Sequence, residues 1–267
     1  MPIFDASAWA DELPLAALAE LDAALADWFL IGAFARDVVV HMAAGLPRST
    51  VTHDVDIAVA AADDEAYRSI VAPLRKSGGG RIRHRAAGYA VDVIAYGGVA
   101  PGDELVDEST TLDVTGLADA ARSTIDVRLA PDLVIRSASL HAQVVLKIIA
   151  WQARGRTSTR DARDLALLLD ASHQGGYEAE VWSDETALAA GDHLPDLAGP
   201  FRTGSLIRRD FAAAVTRRVA DQLEPRAATP LVEAMVGSPV GRRLAAERLD
   251  ALRRGLVPST DVHGATT

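Results

Sequence analysis

Apolar residues from about Leu15 to Ala26 recur at helical spacing and predict an amphipathic helix. The next apolar run, Trp28 to Ile31, is too short for a helix and reads as a buried strand ending at Gly32. FARDVVVHMAA predicts a second helix and GLPRST a loop. In THDVDIAVA, residues 52–60, the period changes to two, so Val55, Ile57 and Val59 share one face of a strand while Asp54 and Asp56 share the other. A helix over about Asp63 to Leu74 follows, its acidic start suited to the positive end of the helix dipole. SGGG breaks it, and RIRHRA and YAVDVIAY predict two strands joined by a short turn at Ala87 and Gly88.

Beyond Tyr96 the pattern weakens. PGDELVDE reads as a loop, GLADAAR as a short helix, and STIDVRL and DLVIRS as two strands. From Ser139 the period is helical, first in LHAQVVLKIIAWQA, then in ARDLALLLD, then in further segments rich in Ala, Leu and Arg. The expected architecture is mixed α/β (α+β). A sheet-bearing unit spans 1–136, a mostly helical unit spans 137–256, and residues 257–267 form a disordered tail.

Composition narrows the function classes. The chain has 267 residues, 49% hydrophobic and 24% charged, which suits a globular protein with a sizeable core. It has no cysteine, so disulfides and thiolate metal sites are excluded and any metal must be held by oxygen or histidine. The start of the sequence has neither the basic nor the apolar region of a signal peptide, and no stretch approaches the roughly 18 uncharged apolar residues of a membrane span. A soluble cytoplasmic protein with no membrane partner is expected.

The formal net charge of −10 argues against indiscriminate nucleic-acid binding. Basic residues nevertheless cluster in RKSGGGRIRHR (Arg75, Lys76, Arg81, Arg83, Arg85) and in RGRTSTRDAR (Arg154, Arg156, Arg160, Arg163). The first cluster is either a grip on a sugar-phosphate backbone or a solvated basic hairpin. Aromatics are only 5%, so contact to RNA would rest mainly on arginine.

The candidate chemistry begins with Asp54 and Asp56. Two carboxylates on one strand face repel and raise each other's pKa unless something positive sits between them. Alone, such a pair is most simply a solvated acidic face. Asp92 changes that reading, because it interrupts another apolar strand and can bring a third carboxylate to the same place, where its alternative is an edge acid facing water. Three aspartates with open positions for water and phosphate suit magnesium, and two such ions can serve phosphoryl or nucleotidyl transfer. Gly32 and Ala33 form a small-residue turn whose backbone N–H groups can receive a triphosphate. Lys147 stands out because only two of the 27 basic residues are lysine, and this one sits in an apolar helix. It is either a point-charge contact to a triphosphate or a snorkelling surface lysine. Asp161 and Asp164 lie one helical turn apart and can face a cleft together, although Asp161 also stands at capping-box spacing from Ser158. His41, His53 and His84 have no metal-like spacing, and His53 falls on the face opposite Asp54 and Asp56.

A small-residue turn, a DxD strand and a later strand with one more acid resemble the DNA polymerase beta-like nucleotidyltransferase superfamily. The resemblance is closer to the AbiEii/AbiGii toxin-like nucleotidyltransferases, which include the MenT-type toxins. It runs from Trp28 to Leu169 through FLIGAFARD, RSTVTHDVDIAV, VDVIAYGG and LKIIAWQARGRTSTRDARDLALLL. This sequence departs in carrying Ala33 where relatives have Gly or Ser, Arg160 where Lys is commoner, and a longer gap between Gly32 and Asp54.

The resemblance implies a two-ion magnesium site at Asp54, Asp56 and Asp92, with Lys147, Asp161 and Asp164 completing the catalytic set. It places the NTP on Gly32, Ala33, Arg36, Thr52 and Lys147, although Arg36 can equally be a surface residue and Thr52 a loop hydrogen bond. It further implies transfer of NMP to an RNA acceptor, foremost the 3′ end of tRNA, by a toxin controlled by a cognate antitoxin. Two alternatives stand beside it. One is transfer to a small molecule such as an aminoglycoside, with the acid-rich stretch from Asp103 to Asp113 as its pocket. The other is a catalytically silent nucleotide-binding module.

Overall fold

The computed structural model describes residues 3–48, 52–108, 110–155, 157–236 and 239–257. Arg156, the Ser49–Thr50–Val51 part of the second motif and the expected tail from 258 onward lie outside the described residues. A short strand β1 (Phe4–Asp5) and a 3-10 turn (Ser7–Glu12) lead into α1 (Leu15–Ala24), whose Ala- and Leu-rich sequence favours a helix and buries Ala17, Leu18 and Leu21. β2 (Phe29–Ile31) is buried throughout, and α2 (Gly32–Asp37) starts immediately after it. The expected helix over 34–44 thus begins two residues early. Its second half is a π-helical turn (Val38–Ala43), where three consecutive valines crowd the preceding turn.

β3 (Asp54–Ala60) is followed by α3 (Asp64–Val71), capped by the Asp63 carboxylate, which accepts from the Ala66 N–H at 2.8 Å. The helix stops short of Leu74 because Pro73 has no N–H to bond back into it, even though Ala72 before it keeps helical dihedrals (φ −54°, ψ −35°). The chain then forms β4 (Arg75–Lys76), β5 (Arg83–Ala86) and β6 (Tyr89–Tyr96). Ala87 and Gly88 both have positive φ, 44° and 87°, the pattern of a two-residue type I′ hairpin.

One expectation fails here. The stretch expected as a loop, PGDELVDE, contains β7 (Glu104–Asp107), which pairs with β8 (Thr110–Asp113) in a separate two-stranded sheet. Only Leu105 of that strand is fully buried, too little apolar alternation to be seen in the sequence. α4 (Leu117–Ala120), β9 (Thr124–Ala130) and β10 (Leu133–Ala138) follow. Thereafter the described chain is helical. α5 (Leu140–Arg154) is capped by Ser139, and α6 (Arg160–Ala171) comes next. They are followed by α7 (Glu178–Trp182), α8 (Glu185–Ala190), α9 (Pro195–Asp210), α10 (Ala213–Gln222), α11 (Pro225–Met235) and α12 (Pro239–Leu256).

The fold is therefore mixed α/β, with a mixed sheet and a helical C-terminal region. The main sheet has the order β1-β9-β10-β2-β3-β6-β5-β4, with β3 and β6 parallel neighbours near its middle. One hydrophobic core runs from Ala6 to Leu256 and joins the sheet to α5, α6 and α9 to α12, while Val181, Ala187 and Ala198 form a small second cluster. No described helix is long and apolar enough to cross a membrane.

Ala87 holds a left-handed backbone that costs a residue with a Cβ about 1–2 kcal/mol. Ala87→Asn should relieve part of this strain, because Asn-Gly is a preferred type I′ pair. Urea denaturation should show a gain of about 0.5–1 kcal/mol. An unchanged midpoint would contradict the turn assignment.

Candidate functional site

Strand register builds the acidic cluster. β3 and β6 pair in parallel with Asp56 directly opposite Asp92, and Asp54 lies two residues away on the same face. Asp54, Asp56 and Asp92 each offer a carboxylate oxygen, and these oxygens all lie within 4.8 Å of one another. The opposite face carries Val55, Ile57, Val91 and Val93, all fully buried, which fixes the register, because a slip of one residue would turn the acids into the core.

Each acid has a local support. The Thr52 hydroxyl donates to Asp54 Oδ1 at 2.5 Å, so Thr52 orients a carboxylate through the loop hydrogen bond that was one of its two readings. Arg83 grips Asp92 with two bonds, Nε to Oδ1 at 3.0 Å and Nη2 to Oδ2 at 3.1 Å. Gly32, φ +68°, presses its backbone against Asp56, and a Cβ there would stand 2.1 Å from Asp56 Oδ2. Only glycine fits, and the start of α2 at Gly32 and Ala33 is thereby held beside the acids.

Electrostatics mark Asp56 as the strained member. Burial, Asp54 and Asp92 raise its pKa to about 7, against the opposing pull of Lys147 and Arg160. The charges of Arg160, exposed in the first turn of α6, and of Lys147, buried on α5, therefore both act on Asp56. Arg154, half-exposed, also feels the Asp56 charge.

Lys147 is held by the two aspartates of α6, with Nζ 2.5 Å from Asp164 Oδ2 and 3.5 Å from Asp161 Oδ1. It is buried, which rules out the snorkelling reading. Asp161 is completely buried and takes Arg154 bidentately, Nε to Oδ2 at 2.6 Å and Nη2 to Oδ1 at 3.0 Å. The capping reading fails, since α6 has no side-chain cap and Ser158 Oγ receives the Arg160 N–H. Asp164 sits between Lys147 and Arg36; burial pushes its carboxyl up, but the two cations outweigh burial and hold it below the usual range. Both aspartates are thus committed to cations and position Lys147 and Arg154.

Arg36 corrects another expectation. It is 2% exposed, neither a surface residue nor open to a nucleotide. Its Nη1 donates to Asp164 at 2.6 Å, and Nε and Nη2 donate to Asp37 at 3.1 and 2.7 Å. Asp37 also receives Arg48 Nε at 2.9 Å, and Arg48 reaches Glu12. Arg36 is a clamp on Asp164.

The sequence reading missed the individual roles of Arg83, Arg154 and Asp37. Arg83 had a usable signal, because Arg83 and Asp92 stand equally far from the turn at Ala87 and Gly88 and so must pair across the hairpin. Arg154 and Asp37 had none, since their partners depend on how helices pack.

The donor set is all carboxylate oxygen, partly open, on rigid strands, and is suited to a hard divalent cation. Arg83 is bonded to Asp92, and the charges of Lys147, Arg160 and Arg154 act on Asp56, so a ligand carrying several negative charges would meet a positive field at this site. No protein-family model matches this chain, and no curated protein matches it.

The raised pKa of Asp56 has a thermodynamic consequence. The folded protein binds a proton at Asp56 that the unfolded chain, with its ordinary value of 3.8, has released. Stability therefore falls as pH rises from about 4 to about 7, and the whole penalty is present above that window. In EDTA, Asp56→Asn should be more stable than the parent at pH 8 by on the order of 2–4 kcal/mol. The difference should shrink towards zero near pH 4. A variant less stable than the parent at pH 8 would contradict this electrostatic picture.

Proposed function

We propose that the protein is a magnesium-dependent nucleotidyltransferase that moves NMP from an NTP to an acceptor hydroxyl and releases pyrophosphate. The observation that carries this reading is the three-carboxylate cluster, with Asp56 shifted to about 7, Arg83 bonded to Asp92 and the charges of Lys147 and Arg160 acting on Asp56. An acidic core under a basic rim fits a metal-bound polyphosphate: the acids take the cation and the rim takes the phosphate charge left over. A bound magnesium pair would supply a lowered pKa at the attacking hydroxyl and charge neutralisation at the leaving pyrophosphate.

The residues divide the rest. Asp54, Asp56 and Asp92 would hold the cations, with Thr52 orienting Asp54 and Gly32 packed against Asp56. Asp92, once freed from Arg83, would either complete the second cation site or accept the acceptor's proton, and Arg83 would then have charge to offer a phosphate. Lys147 and Arg160 would take up charge on the leaving pyrophosphate, with Asp161 and Asp164 holding Lys147 and Arg36 holding Asp164. Gly32 and Ala33 bring backbone against the nucleotide without a side chain in the way.

The acceptor assignment, an RNA and foremost the 3′ end of tRNA, rests on the four-motif resemblance, as does the role of a translation-blocking toxin with a cognate antitoxin in the cytoplasm. The small-molecule alternative needs a convergent acidic pocket between Asp103 and Asp113, and two observations weigh against one. Asp113 is taken by Arg218 at 2.5 Å, and Asp107 accepts the backbone N–H of Arg81.

Incubation of the protein with magnesium, total tRNA and each labelled NTP in turn should label tRNA on a denaturing gel. Asp56→Asn should reduce the signal by about 100-fold or more, the scale expected when a catalytic metal ligand is lost. Label that persists in Asp56→Asn would overturn the proposed site. Failure of every NTP to label RNA would exclude the RNA-transfer reading.

A further inference from the structure

The five cations of RKSGGGRIRHR divide into two groups once their partners are known. Arg81 donates to Asp64 at 2.7 Å and lies over the Tyr67 ring, and Arg83 is held by Asp92. Arg75, Lys76 and Arg85 are exposed and have no acidic partner among the described residues. Arg85 donates to Ser77 Oγ at 3.3 Å and to the Gly88 carbonyl at 3.0 Å, contacts that leave its charge uncompensated.

These three residues line a recess of about 520 Å³ with Glu20, Ala87 and Gly88. Its one acid, Glu20, accepts the Ala87 N–H at 2.7 Å. The recess thus carries three cations and one acid in a chain of net charge −10. Arg75 and Arg85 are direct cross-strand partners, and like charges so placed repel unless an anion lies between them.

Register ties the recess to the acidic cluster. Asp54 pairs with Ala90, Ala90 with Arg85, and Arg85 with Arg75, so all four lie on one rung and one face of the sheet. The next rung carries Asp56, Asp92 and Arg83. With strands about 4.8 Å apart, Arg85 stands roughly 10 Å and Arg75 roughly 14 Å from Asp54. A stacked strand rises about 3.4 Å per nucleotide, so these distances place a phosphate track about three to four nucleotides back from a reacting end.

We infer that the recess at Arg75, Lys76 and Arg85 binds the phosphodiester backbone of a nucleic-acid acceptor whose terminal hydroxyl reaches the three aspartates. This rests on the nucleotidyl-transfer reading for what happens at the end of the strand, but binding itself can be measured without it. A free anion would need only one of these cations. Two of them, Arg75 and Arg85, run along the face that carries the reaction centre, and Lys76 lines the same recess from the other side of β4, a row that fits an extended polyanion.

The test measures fluorescence anisotropy of a short labelled single-stranded RNA with the full chain across a salt series. It compares the parent with Arg75→Gln/Lys76→Gln/Arg85→Gln and with Arg75→Lys/Arg85→Lys, and circular-dichroism melts verify that both variants fold. The neutral triple variant should lose about tenfold or more in affinity near 0.1 M salt, and its log–log salt slope should flatten by roughly 2, about 0.7 for each phosphate contact removed. The lysine variant should keep most of the binding, because it keeps the charge. RNA binding that depends on these residues in a protein that transfers no nucleotide would support the recess and sink the transfer reading alone. Equal binding by parent and neutral variant, or no RNA binding by the parent at about 50 mM salt, would overturn the inference. Preference for anionic lipid vesicles over RNA would overturn it as well.

Discussion

The mutual repulsion of Asp54, Asp56 and Asp92 is the constraint to which the surrounding structure answers. Strand pairing forces the three together, because the valines and isoleucine on the other face cannot be exposed without losing the core. The cost appears at Asp56, whose carboxyl is pushed to about 7 by burial and its two neighbours. Nearby positive charge offsets part of it, through Lys147 and Arg160 at Asp56 and Arg83 at Asp92.

Holding those cations in place then requires further acids. Asp164 and Asp161 fix Lys147, Arg36 and Arg154 fix the aspartates, and Asp37, Arg48 and Glu12 continue the alternation away from the site. Buried charges are tolerated only when paired, so the buried members Arg36, Asp37, Lys147, Asp161 and Asp164 each depend on their neighbours. The network also crosses from the sheet-bearing part to the helices, joining α2 to α5 and α6, so positioning the site and docking the helical region are one physical problem. Towards the sheet edge the sign reverses, from aspartates on the central strands to arginines on β5 and β4.

Much of this was legible in the sequence where local periodicity decided it. Alternation in DVDIAVA and YAVDVIAY identified both strands and placed three acids on them, and the crowding of those acids pointed to a cation. The rarity of lysine singled out Lys147. Long-range packing was not legible. Arg36 looked like a contact for a ligand because position along a motif says nothing about which way a side chain turns, and here a buried carboxylate captured it. Asp161 matched a cap by spacing, but an arginine seven residues earlier made the stronger partner. β7 escaped because one buried leucine does not make a pattern, and the partners of Arg154 are set by the crossing of two helices.

The most direct measurement is calorimetric titration of the apoprotein with Mn²⁺, at several pH values and in two buffers of different ionisation enthalpy. If the three carboxylates form a cation site, affinity should strengthen as pH rises through about 7, with close to one proton released per ion near pH 6 and almost none near pH 8. Asp56→Asn should weaken binding and abolish the proton release. Absence of binding at millimolar Mn²⁺, or binding indifferent to pH and to that substitution, would contradict the account.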